Sequence, residues 1–136
     1  NDIYKYKNKN IKIFDFFEKT ELIEIYNQSD ILLILLKDKN IFNLTIPSKF
    51  QNYLIYKKPI LGWITGQTKK LIEEKRCGLT AHPNDIKAFE TKVLKFYRLY
   101  KLKKLKNFSL NSYKLYQENY TNKKICNLII KSLKEC

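Results

Sequence analysis

The chain has no methionine, one histidine, one tryptophan and two arginines, yet its formal net charge is +14 over 136 residues. Arg76 and Arg98 are the two arginines, so nearly all of the positive charge is lysine. Reading bases or gripping a nucleic-acid backbone favours the planar, two-pronged arginine fork, and its scarcity argues against that role. Lys, Asn, Ile, Tyr and Phe are abundant together, as AT-rich coding produces, and the charge reads as lysine on solvated faces. Three cysteines, Cys77, Cys126 and Cys136, are odd in number and lack CxxC spacing, which excludes a cysteine metal cluster or a dithiol redox site. They read as buried or free thiols of a reducing cytosol. No apolar run approaches the 18 or so residues of a membrane-spanning helix, and no secretory leader pattern is present. Neither GxxxxGK[ST] nor GxGxxG occurs. With a hydrophobic content of 44%, the chain is expected to be one globular, cytoplasmic domain. With a start at Asn1 and no methionine, the chain is expected to be an N-terminally truncated piece of a longer protein, with residues 1–136 a single domain.

What is present alternates between strand and helix. Residues 11–16 read as a short strand with branched Ile11 and Ile13. Thr20 is placed to cap a helix whose first turn carries Glu21 and whose apolar stripe is Leu22, Ile25 and Tyr26. Residues 31–36 are all Ile or Leu, the pattern of a strand covered on both faces. A polar loop follows, then a helix opening on Pro47-Ser48-Lys49 with Phe50, Tyr53 and Leu54 toward the sheet. Residues 59–64 form the next strand, Leu71 and Ile72 mark a helix ending before Gly78, and residues 79–81 form a last short strand. Beyond Asn84, Ile86, Phe89, Val93, Phe96 and Tyr100 recur at helical spacing. Two more helices follow, after Ser109 and from Asn122. Such alternation predicts a parallel sheet with flanking helices and a helical C-terminus.

A helix that opens on proline aims unmatched backbone N–H groups, and here Lys49, at the carboxyl end of the preceding strand. That crevice is where open α/β sheets bind ligands, and its chemistry asks for a phosphate. On local sequence alone an ordinary helix start with a surface lysine is the better reading, and only the resemblance carried by the flanking motifs reverses it. His82, between Ala81 and Pro83, sits on a loop after a strand end with no acid–base partner near it in sequence. The run 101–106, KLKKLK, reads as a solvated helix end, with contact to anionic lipid as its alternative. Tyrosines 97, 100, 113, 116 and 120 read as core and boundary residues rather than a stacking platform for single strands.

The order of these motifs resembles the donor-binding part of GT-B glycosyltransferases, specifically the retaining glycosyltransferase family 4. The resemblance is carried by Tyr26-Asn27-Gln28-Ser29-Asp30 before a strand, Ile46-Pro47-Ser48-Lys49 with Tyr53-Leu54, and Lys58-Pro59-Ile60-Leu61. Downstream it continues in Gly66-Gln67-Thr68, Ile72-Glu73-Glu74, Cys77-Gly78-Leu79 and Pro83-Asn84-Asp85. It spans residues 11–133. It implies a partial Rossmann-like sheet, the C-terminal half of a GT-B fold. In the order 3-2-1-4-5-6, four strands would be supplied here and two central ones missing. It further implies a metal-free, cofactor-free transferase that takes a nucleotide sugar as donor. The acceptor is a glycan or a lipid-linked molecule, and the acceptor site lies on an N-terminal GT-B domain outside this chain. Donor contacts fall on Thr45, Pro47, Ser48, Lys49 and Asn52, and no catalytic residue is assigned. Nucleic acid is not an expected partner, and localisation is cytoplasmic, with the inner membrane face as a peripheral option. Two departures stand out: Asn52 replaces the family's ribose-binding Glu, and Leu44 lies near the place of its earlier Glu. Alternative readings are a degenerate glycosyltransferase paralogue and a basic, non-enzymatic nucleic-acid-binding α/β module.

Overall fold

A computed structural model of the protein describes residues 9–134. Strands β1 (Leu32–Leu35), β2 (Ile60–Trp63) and β3 (Gly78–Ala81) form a parallel sheet in the order β1-β2-β3. The register pairs Leu32 with Ile60 and Ile60 with Gly78. Parallel neighbours need crossovers, and helices supply them: α2 (Asn40–Leu44) and α3 (Ser48–Ile55) join β1 to β2, and α4 (Gly66–Glu74) joins β2 to β3. Helix α1 (Lys19–Gln28) precedes the sheet; α5 (Ile86–Lys101), α6 (Lys106–Asn119) and α7 (Asn122–Lys134) follow it. The mixed α/β class with a helical C-terminus is as the alternation of patterns predicts.

One sheet face carries the core. Leu32, Ile34 and Ile60 pack with Phe50, Tyr53 and Leu54 of α3, Ile72 of α4 and Leu115 of α6. Phe50 and Leu54 are fully buried, which places the α3 apolar stripe where its spacing predicts. Tyr53 reaches through this layer to donate to the Leu33 carbonyl (3.3 Å). Buried Ser112 donates to the Lys58 carbonyl (3.0 Å), with that of Cys77 also in reach at 3.4 Å, so α6 is tied to the entry of both β2 and β3. Helix α5 lies against the opposite face of β2 and β3, where Phe96 is buried.

Four expectations need correction. Residues 11–16 do not form a strand; Ile11 makes an isolated bridge and residues 12–18 have no regular structure. No strand of the described sheet pairs with this segment, and Phe14 packs on Phe17 (ring centroids 4.7 Å apart). The sheet therefore has three strands among the described residues rather than four. Thr20 does not cap α1, because the helix starts earlier: Glu18 is the cap residue, and its N–H donates to Glu21 at 2.8 Å. Finally, β1 is covered on one face only. Leu33 and Leu35 are 42% and 52% exposed, since α5 stops short of this edge strand. Smaller shifts are that Pro47 is the residue before α3 rather than its first, and that α6 begins at Lys106. Cys136 lies outside the described residues.

Cys77 is fully buried and Cys126 exposed, and burial pushes the Cys77 thiol up to about 11. Iodoacetamide at about pH 8 is expected to label Cys126 and spare Cys77 until the chain unfolds, as read by peptide mass mapping. Burial, with Tyr26 adding to it, likewise raises the Tyr53 hydroxyl to about 12. Both groups are neutral in the fold and ionise more readily in the unfolded chain. Their stabilisation is therefore intact below the thiol's ordinary 9.0 and lost as pH climbs through about 11 and 12.

Candidate functional site

The three strands end on one side of the sheet, and the residues just beyond them meet there. Asp38 follows β1, Thr65 follows β2 and His82 follows β3. Asp38 Oδ1 accepts from Thr65 Oγ1 (3.1 Å) and from Asn43 Nδ2 of α2 (3.4 Å). Asp38 Oδ2 faces His82 Nε2 at 3.4 Å. Thr65 Oγ1 also contacts Asn43 Oδ1, so its single proton serves one of two acceptors at a time. The other side of the imidazole is occupied as well, because Asn84 N–H donates to His82 Nδ1 (3.2 Å). With Nδ1 accepting, the proton sits on Nε2 and points at the carboxylate. His82 thus has no lone pair left for a base and acts as a strut that aims Asp38. Its carbonyl accepts from Trp63 Nε1 at 2.6 Å, fixing the strut to β2.

Helix α4 starts in this cluster. Gly66 has φ +71°, and a Cβ there would lie 2.3 Å from the Asn43 backbone. Glycine is therefore what lets α2 lie directly on the start of α4. Buried Thr68, in the first turn of α4, donates to the Thr45 carbonyl (3.3 Å), which brings the approach to α3 alongside the start of α4. The start of α4 consequently adjoins α2 and the segment leading into α3 at the carboxyl ends of the strands, and each helix start has first-turn N–H groups that its own helix leaves unmatched.

Of the five residues singled out by sequence, Thr45 is tied to α4 in this way and Pro47 is half-buried as the cap of α3. Ser48, Lys49 and Asn52 are exposed on the first turns of α3, and no hydrogen bond joins their side chains to another described residue. Leu44 is 78% exposed at the end of α2. Sequence reasoning missed Asp38, Asn43 and Thr65. The His82–Asp38 pair joins two loops far apart in the chain, and neither loop carries a local signal for the other. Among the described residues no cluster of three His, Cys, Asp or Glu side chains is set to hold a metal. No described helix is long and apolar enough to cross a membrane. No protein-family model, curated protein or solved structure matches this chain.

Proposed function

We propose that this chain is the nucleotide-sugar-binding part of a GT-B glycosyltransferase of the family 4 type, retaining and metal-free. The observation that carries the reading is the bond from the α4 start to Thr45, in the segment leading into α3, beside Asp38 and Thr65 at the carboxyl ends of a parallel sheet. In this reading the donor's diphosphate sits on the N–H groups of Ser48 and Lys49, with the Lys49 ammonium closing on it. Stabilising that leaving diphosphate is the electrostatic share of such a transfer. Asn52, one turn further along α3, holds ribose hydroxyls as an amide rather than a carboxylate. Asp38, aimed by His82, accepts from sugar hydroxyls. The acceptor, a glycan or lipid-linked molecule, binds an N-terminal GT-B domain, and the setting is the cytoplasm, with the inner face of the membrane as a peripheral option. The exposed Leu44 and the amide at Asn52 favour, as a second reading, a paralogue that keeps the fold and donor binding but not transfer.

The protein is expected to bind UDP or GDP more tightly than a single-stranded oligonucleotide at physiological salt. Parallel titrations at two salt concentrations test this. A nucleic-acid module would show the reverse preference, with affinity falling steeply as salt rises.

A further inference from the structure

We propose that the open edge of β3 carries a second anion site, for a phosphate group, separate from the crevice at the strand ends. A cavity of about 1010 Å³ opens there between the end of α4, the α5–α6 turn and the exposed edge of β3. Arg76, Lys92, Lys103, Lys104 and Lys106 line it, against one carboxylate, Glu73. That carboxylate is already engaged by the hydroxyl of buried Thr80. None of the five cations forms an ion pair with a described residue.

The adjoining cleft shows that this is not simply how lysine is arranged on the surface. There, in about 260 Å³, Lys75 and Lys114 both pair with Glu118 at 3.9 Å, and Glu74 adds a second carboxylate against three cations, of which Arg76 is shared with the larger cavity. In the larger cavity five like charges converge on a concave space backed by Leu79, Leu99 and Phe108, and apolar backing strengthens their field. Holding them together is unfavourable without an anion, and it becomes favourable when several phosphate oxygens enter. A phosphate group fits better than a carboxylate, because it offers more acceptors and more charge to the same set of donors. None of Asp38, Thr65, His82, Ser48 or Lys49 lines the cavity, so the inference stands apart from the donor-site reading.

The phosphate has two sources, free in solution or on a lipid headgroup, and the test separates them. The chain is titrated with inorganic pyrophosphate and sedimented with phosphatidylcholine vesicles made with and without phosphatidylglycerol. Four forms are compared: unaltered, Lys103→Ala/Lys104→Ala, Lys49→Ala, and Lys123→Ala/Lys124→Ala, which removes the same charge from exposed positions on α7. Because the proposed donor crevice also takes pyrophosphate, the titration is read as two sites: the 103/104 variant is expected to weaken about tenfold the site that Lys49→Ala leaves intact, and the 123/124 variant to keep both. Loss confined to pyrophosphate identifies a soluble ligand, and loss confined to anionic vesicles identifies a headgroup. Equal weakening by the two double variants, or none in the 103/104 variant with either probe, overturns the proposal. Circular dichroism of each variant checks the fold, which is expected to be retained because the five cations are all outside the buried core.

Discussion

Replacing Gly66 with alanine is expected to destabilise the fold by about 3 kcal/mol and to remove nucleotide binding with it. Alanine at φ +71° alone costs about 1–2 kcal/mol. The added methyl would also stand 2.3 Å from Asn43 Cα and O and 2.6 Å from its carbonyl carbon. These are backbone atoms, so relief requires α2 to move off α4. That movement breaks the Thr65 hydrogen bond shared between Asp38 and Asn43 and the bond from Thr68 to Thr45, each worth about 0.5–1.5 kcal/mol. Gly62→Ala is the comparison. A Cβ there meets side-chain atoms of Ile64 and Thr80 at 3.1–3.2 Å, and these can shift by a few tenths of an ångström. Urea unfolding should therefore rank Gly66→Ala well below Gly62→Ala. An unchanged midpoint for Gly66→Ala would mean that the close seating of α2 on α4 is wrong, and the donor crevice with it.

The sheet was legible because its strands are short apolar runs separated by helical periods, and such patterns need no partner to be recognised. The stripe of Phe50, Tyr53 and Leu54 was legible for the same reason. Residues 11–16 carry a strand-like pattern, but pattern does not supply a neighbouring strand. Phe16 is left 79% exposed without one. The run 31–36 is apolar throughout, yet whether both faces are covered depends on how far α5 reaches across the sheet, which is a tertiary fact. Helix α2 went unread because Ile41 and Leu44 stay exposed, so its position comes from contact with α4 rather than from its own apolar face. Of the site, the α3 start was visible through Pro47, whereas the α4 start was not, since only Leu71 and Ile72 marked that helix. The Asp38–His82–Thr65 cluster was not, since it is assembled from three loops that only the parallel sheet brings to one side.

Lys49 and Asn52 are where the donor reading is most exposed to test. Lys49→Ala is expected to weaken diphosphate binding by about 1.5–3 kcal/mol, the size of a charge-assisted hydrogen bond. Lys124→Ala, an exposed α7 position, should leave it unchanged. Equal effects at both would mean that overall charge rather than a site draws the ligand. Asn52 lies four residues after Ser48, so the two share a face of α3. If that face meets the ribose, Asn52→Ala weakens nucleotide binding and leaves free pyrophosphate, which has no ribose, untouched. Asn52→Glu then restores a charged acceptor for the ribose hydroxyls and tightens nucleotide binding beyond the unaltered protein. Under general charge attraction the same Glu substitution weakens both ligands, because it adds a negative charge beside the phosphates. Isothermal titration of the three forms with UDP and with pyrophosphate separates these outcomes. Tighter UDP binding by the Glu form assigns the ribose to α3, and weaker binding of both ligands removes it.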